Sequence, residues 1–294
     1  MPTLTIDKLT HIYPSGVKAL DAVSLNIPQG LYGLLGPNGA GKSTLMRAVA
    51  TLQAPTSGSV RFDDVDVLAN PQLLRRRLGY LPQDFGVFPR VSALEMLDHI
   101  ATLKGLANGK LRRPTVEHLL HQVNLWGVRH KPLSGFSGGM RQRFGIAQAL
   151  IGDPALVIVD EPTAGLDPEE RLRFLNLLAE IGEQIVVILS THIVDDVADL
   201  CPRMAIIVNG RIVREGEPRA LIAELKGRIW IKAIGREELA ACRARHAVIS
   251  SRLFAGRTLV HVLADADPGE GFAPTEGGVE DVYFSTLFTI RRAA

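Results

Sequence analysis

Apolar positions along the chain change period several times. Strand-like runs cover residues 4–12 and 17–27, separated by the turn residues Pro14, Ser15 and Gly16. A third run, residues 31–35, leads straight into Gly36-Pro37-Asn38-Gly39-Ala40-Gly41-Lys42-Ser43-Thr44. After it Leu45, Met46, Val49 and Leu52 recur at helical spacing, so the order is strand, Gly-rich loop, helix. Residues 60–62 and 78–81 predict short strands. From about residue 91 to 150 the pattern is helical, with one stripe of Leu94, Leu97, Ile100, Ala101 and Leu103 and another of Val116, Leu119, Leu120 and Val123. Strand signals return at 156–159, 185–189 and 204–208, alternating with helical stretches 169–181 and 194–200. Such alternation predicts an α/β fold with a mostly parallel sheet.

The tail reads differently. Asn209-Gly210 between two apolar runs predicts a hairpin. Residues 218–225 read as a short helix, and Gly227 marks a boundary. Beyond it come a strand at 229–234, a helix at 237–245, a hairpin turning at Ala255-Gly256, a Pro- and Gly-rich loop at 265–278 and a closing helix at 279–290. No internal repeat or low-complexity tract interrupts the order.

Composition narrows the classes. The 294 residues fit one large domain or two, and 46% hydrophobic with 22% charged residues is a globular composition. Lys and Arg total 33 against 31 Asp and Glu, a net charge of +2, which argues against a chain built to neutralise nucleic-acid phosphates. Aromatics at 5% make a broad base-stacking surface improbable, so no nucleic-acid partner is expected. Two cysteines, Cys201 and Cys242, cannot build a disulfide framework and read as reduced thiols in a cytosolic protein. The N-terminus lacks a secretory pattern, and no apolar run approaches the ~20 residues of a membrane helix.

Gly36-x-x-x-x-Gly41-Lys42-Ser43 matches the phosphate-binding P-loop. Its glycines let backbone N–H groups turn towards phosphate oxygens, Lys42 supplies a point charge, the Ser43 hydroxyl can bind Mg²⁺, and the following helix aims its positive end at the nucleotide. A nucleotide cradle therefore spans Gly36, Pro37, Asn38, Gly39, Ala40, Gly41, Lys42, Ser43 and Thr44. The apolar run Leu156-Val157-Ile158-Val159 ends in Asp160-Glu161. Asp160 is placed to hold Mg²⁺ and Glu161 to orient or deprotonate an attacking water. The other reading of this pair is a helix cap before Pro162.

Phe136-Ser137-Gly138-Gly139-Met140-Arg141-Gln142-Arg143, just upstream of that strand, resembles the signature motif of the ATP-binding cassette (ABC) family. Tyr13 resembles that family's adenine-stacking aromatic, Gln83 its Q-loop, Ala164-Gly165-Leu166-Asp167 its D-loop, and His192 its switch histidine. All stand in the family order over residues 4–216. Two positions depart from the common signature: Phe136 stands where Leu is usual and Met140 where Gln is usual. Family members with Met there are similar to ATPases of exporters with a separate permease. Tyr283, in Val279-Glu280-Asp281-Val282-Tyr283-Phe284, resembles a C-terminal motif of that subgroup, although the stretch also reads as a plain amphipathic helix.

The resemblance implies a P-loop NTPase fold with an N-terminal antiparallel β subdomain, an inserted helical subdomain at about 84–150, an ATPase domain over 1–226 and a small C-terminal α+β unit over 227–294. It implies ATP and Mg²⁺ as ligands, and the absence of an Asn-Lys-x-Asp guanine-reading element agrees with ATP. Lys42, Gln83, Glu161 and His192 become the catalytic set, and Ser43, Gln83 and Asp160 the Mg²⁺ set. Ser137, Gly138, Gly139 and Met140 would complete the site of a second chain in a homodimer or heterodimer, with Asp167 as a dimer contact and a helix N-cap. The implied function is to power a separate membrane permease, in export, from the cytoplasmic face. An importer ATPase, a non-transport ABC ATPase on DNA or the ribosome, and a P-loop kinase are the alternatives. Phe85, Val87, Phe88, Pro89 and Val91 beside Gln83 read either as a socket for a permease helix or as subdomain core.

Overall fold

A computed structural model describes residues 1–163 and 166–293. Ala164 and Gly165 of the D-loop stretch lie outside the described residues.

The chain opens with β1 (Thr3–Ile12), β2 (Lys18–Pro28), β3 (Gly30–Leu35), α1 (Lys42–Val49), β4 (Ser57–Phe62), β5 (Val65–Asp66), α2 (Pro71–Arg75) and β6 (Leu78–Leu81). Three longer helices follow: α3 (Ala93–Leu103), α4 (Gly109–Gln122) and α5 (Gly138–Leu150). Then come β7 (Leu156–Asp160), α6 (Pro168–Gly182), β8 (Val186–Thr191), α7 (Val194–Leu200), β9 (Arg203–Val208), β10 (Arg211–Gly216) and α8 (Pro218–Ala223). The tail holds β11 (Ile229–Ile234), α9 (Leu239–Arg245), β12 (Val248–Phe254), β13 (Arg257–Leu263), β14 (Ala273–Thr275) and α10 (Val279–Ala293).

The central sheet runs β10-β9-β3-β8-β7-β6. Its strands are parallel except for the β9–β10 hairpin, which turns at Asn209-Gly210. Continuous apolar runs such as Val-Val-Ile-Leu in β8 follow from burial on both faces. Alternate residues divide between two cores. Leu35, Val159 and Leu189 face the helices α3 to α7, whereas Leu34, Ile158 and Ile188 face α1 and the antiparallel sheet β2-β1-β4-β5. A third sheet, β12-β13-β11-β14, encloses a small core of Ile234, Cys242, Val260, Val262 and Phe272. α10 leaves this sheet and delivers Val279, Val282, Tyr283 and Leu287 to the main core, against α7 and α8.

Several periodic expectations shift at element ends. Leu52 is 62% exposed because α1 stops at Val49 and Thr51 turns left-handed at φ 61. Leu103 is 74% exposed: two residues beyond Ala101, it lies on the far side of α3. The stretch 265–278, read as loop, contains β14, an edge strand where Pro274 is tolerated. The helix expected from residue 237 begins as a 3₁₀ turn at Arg236–Glu238.

Cys201, at the end of α7, is 4% exposed, and burial pushes its thiol up to about 12. Alkylation requires the thiolate. In the folded protein at pH 8, Cys201 should resist iodoacetamide and become labelled only in denaturant, as read by peptide mass spectrometry.

Candidate functional site

β3 ends at Leu35, and the chain turns through Gly36–Gly41 into α1. Gly41 has φ 106, and a Cβ there would stand 2.5 Å from the Ala19 carbonyl oxygen, so the position requires glycine twice over. The β9–β10 turn braces this loop: Gly210 N–H donates to the Ala40 carbonyl at 2.9 Å, and Arg211 pairs with Asp21 at 2.7 Å. A cleft of about 610 Å³ opens here, lined by Tyr13, the P-loop residues, Gln83, Glu161, Asn209 and Gly210.

Lys42 is 4% exposed. Its Nζ donates to the carbonyls of Gly36 at 2.7 Å and Pro37 at 3.3 Å, and stands 3.2 Å from Glu161 Oε1. Ser43 and Thr44 follow it on α1, with Thr44 turned inward and hydrogen-bonded to Tyr13.

β7 brings Asp160 and Glu161 to the same edge of the sheet. Glu161 adopts φ 49, a strained left-handed backbone for a residue with a side chain. No helix begins at this pair, so the helix-cap reading does not apply. The turn points the Glu161 carboxylate into the cleft, where Oε2 lies 2.8 Å from His192 Nδ1. His192 follows the end of β8, beside β7. With the carboxylate ionised, Nδ1–H is the donor. Asp160 is 3% exposed, and among the described residues its Oδ1 has no hydrogen-bond partner. Tyr80, half-buried nearby, has its phenol held above its ordinary range by burial and then by the Asp160 charge.

Tyr13 lies at the mouth of the cleft. Its hydroxyl and Thr44 Oγ1 are 3.0 Å apart, and that hydrogen bond lowers its phenol from the ordinary value. Gln83 is exposed on the cleft rim. The structure thus brings Tyr13, the P-loop, Gln83 and Glu161 to one cleft, with His192 hydrogen-bonded to Glu161.

The signature stretch stands apart, on α5. Ser137 is the N-cap, accepting from Met140 N–H at 3.2 Å. Gly138 is exposed beside it. The two departures from the family pattern face inward: Phe136 is 5% exposed in the core, and Met140 packs against that core. Asp167 caps α6 by accepting from Glu170 N–H at 2.8 Å, as its place before Pro168 predicts.

Several contributors were missed by sequence reasoning. Glu170 accepts the Ser137 hydroxyl at 3.1 Å and covers Gly139 so closely that a Cβ there would stand 2.1 Å from its carboxyl carbon. Asp196, fully buried on α7, receives hydrogen bonds from Thr163, Thr191 and Arg171. No local motif marks either carboxylate, because their partners lie elsewhere in the sequence. Asn209-Gly210 was legible as a turn, whereas its place beside the P-loop was not.

Comparison with known proteins identifies the family. Residues 20–164 match the ABC transporter family. The chain is 37% identical over 219 residues to an uncharacterized ABC transporter ATP-binding protein of Bacillus subtilis, covering 74% of this chain and 72% of that one. It is 34% identical over 271 residues to the daunorubicin/doxorubicin resistance ATP-binding protein of Streptomyces peucetius, covering 91% and 79%. It is 33% identical over 273 residues to the Nod factor export ATP-binding protein I of Paraburkholderia xenovorans, covering 91% and 89%. A solved dimeric ATP-binding cassette, in a post-hydrolysis state with ADP and phosphate, superposes with a TM-score of 0.67 at 28% identity, covering 73% of this chain and 98% of that one. With a P-loop and an acidic strand end at one cleft and a histidine bonded to that acid, the chain belongs to the ABC transporter family as an ATP-binding subunit.

Proposed function

We propose that this chain hydrolyses ATP and uses the cycle to drive a separate membrane permease, in the direction of export. The observation that carries the proposal is the convergence of Lys42, Glu161 and His192 within hydrogen-bond reach at the P-loop. Tyr13 stacks on adenine, and the backbone from Gly36 to Thr44 holds the phosphates. A γ-phosphate takes the Lys42 amine from the Gly36 and Pro37 carbonyls and from Glu161. Glu161 then remains oriented by His192 and is free to accept a proton from water, while His192 steadies the carboxylate as charge develops.

A Mg²⁺ ion fits the donors present. Among the described residues Asp160 Oδ1 is buried without a protein partner, and Ser43 and Gln83 offer neutral oxygens on the cleft. When bound, the ion neutralises charge on the phosphates. These three residues would hold it together with phosphate oxygens.

The signature stretch meets a second copy or a related ATPase in a head-to-tail dimer, where exposed Ser137 and Gly138 contact its nucleotide while Gly139 and Met140 support them from within, with Asp167 at the same interface. Residues 1–226 are the ATPase domain, with the helical subdomain at about 84–150, and residues 227–294 are an accessory unit resting on it through α10. Among the described residues no helix is long and apolar enough to cross a membrane. The permease is, in this reading, a separate chain, with this subunit on its cytoplasmic face. Phe88, 62% exposed between Gln83 and α3, offers an apolar contact for it. Export is the direction favoured by the names of the drug-resistance and Nod factor relatives.

Three outcomes follow. Glu161→Gln should retain ATP binding and lower turnover by about 10²-fold or more, the scale of a lost general base; turnover equal to the native protein removes Glu161 from that role. Lys42→Ala should weaken ATP binding by at least about tenfold in calorimetry, the scale of one charge-assisted hydrogen bond. Phe88→Ala should leave the ATPase rate of the isolated chain unchanged and lower transport in vesicles that contain the permease.

A further inference from the structure

Asp196 lies outside every motif considered above, yet it is among the most completely buried charged side chains in the protein, at 0% exposure. A buried carboxylate is costly unless donors surround it. Here three do. Thr163 Oγ1 donates to Oδ2 at 2.6 Å, Thr191 Oγ1 to the same oxygen at 3.3 Å, and Arg171 Nε to Oδ1 at 2.6 Å.

The origins of these donors carry the argument. Thr191 immediately precedes His192 and also receives the Ile193 N–H at 3.0 Å, so its hydroxyl fixes the backbone on both sides of the histidine. Thr163 stands two residues after Glu161 and four before Asp167. Arg171 is on the first turn of α6, whose N-cap is Asp167 and whose Glu170 receives the Ser137 hydroxyl. One carboxylate therefore joins the segment after the acidic strand end, the segment before the histidine and the helix that touches the signature loop. An apolar residue would avoid burying a charge but would leave the Thr163, Thr191 and Arg171 donors without this acceptor. What the carboxylate adds is direction, since its two oxygens fix three hydrogen bonds.

We infer that Asp196 is a positioning residue for hydrolysis: acting through Thr191 and Thr163, it holds His192 and the two residues that follow Glu161 in register. It touches no nucleotide and contributes nothing to ATP affinity. The inference rests on the proposed hydrolytic role of this cleft.

The test uses the full chain with Asp196→Asn, Asp196→Glu and Thr163→Val, and Glu161→Gln as control. For each, kcat and KM for ATP, ATP affinity and the melting temperature are measured. Asp196→Asn and Thr163→Val should lower kcat about tenfold or more while KM and affinity stay within about twofold. Asp196→Glu should recover part of kcat. Thr163→Val conserves shape and carries the test by itself if Asp196→Asn lowers the melting temperature. The inference is overturned if kcat in Thr163→Val stays within about twofold of the native value, or if kcat and ATP affinity fall together. Slow turnover in Glu161→Gln beside native turnover in Thr163→Val overturns the inference alone. Native turnover in Glu161→Gln overturns the hydrolytic reading and the inference with it.

Discussion

Parallel pairing of three buried strands sets where the P-loop, Glu161 and His192 stand. Leu35 of β3 is level with Thr191 of β8, and Asp160 of β7 is level with Ser190. The residues that follow these last pairs are Gly36, His192 and Glu161, so the P-loop, the histidine and the carboxylate emerge at one edge. Ligands of open α/β sheets bind at that carboxyl edge. A slip of one residue in β7 would turn Val157 and Val159 to the opposite core and carry Glu161 away from Lys42.

The same edge concentrates charge where water is scarce. Lys42 and Glu161 are 4% and 8% exposed, and each satisfies the other. Glu161 holds its position from a left-handed backbone, a conformation that costs about 1–3 kcal/mol and persists only where the surroundings over-determine it. Here they do: Glu161 N–H donates to the Ser190 carbonyl at 2.8 Å, while its side chain is held by Lys42 and His192. Because Lys42 already spends its protons on backbone carbonyls and a carboxylate, binding phosphate exchanges one set of acceptors for another.

Much of this was legible in the sequence, for a physical reason. The P-loop and the acidic strand end are contiguous stretches whose chemistry is read locally: glycines where the backbone must turn, a lysine and a hydroxyl beside it, carboxylates at the end of an apolar strand. The alternation that predicts a parallel sheet is equally local. Asp196 and Glu170 were illegible because an acidic residue in the first turn of a helix is ordinary, and what distinguishes these two is supplied by Thr163, Thr191, Arg171 and Ser137 from other segments. Periodicity likewise marks which residues are apolar but not where a helix stops, which is why Leu52 and Leu103 fall outside the core. Phe136 and Met140 look like damage to a signature when read as a motif. In the fold both side chains turn towards the helical core and leave Ser137 in place as the cap.

The tail bears on the same edge through α7. That helix has seven residues, too few to persist without tertiary contacts. On one side it approaches β3 so closely that a Cβ on Gly33 would stand 2.5 Å from Val197. On another side α10 covers it with apolar residues of the main core. α10 is itself anchored to the third sheet, where His261 Nδ1 and Asp281 Oδ1 are 2.6 Å apart and Asp281 Oδ2 also accepts from Gly278 N–H at 2.9 Å. The helix that follows His192 and carries Asp196 is thus clamped between the central sheet and the C-terminal helix. The position of the histidine depends on packing contributed by residues almost a hundred positions downstream.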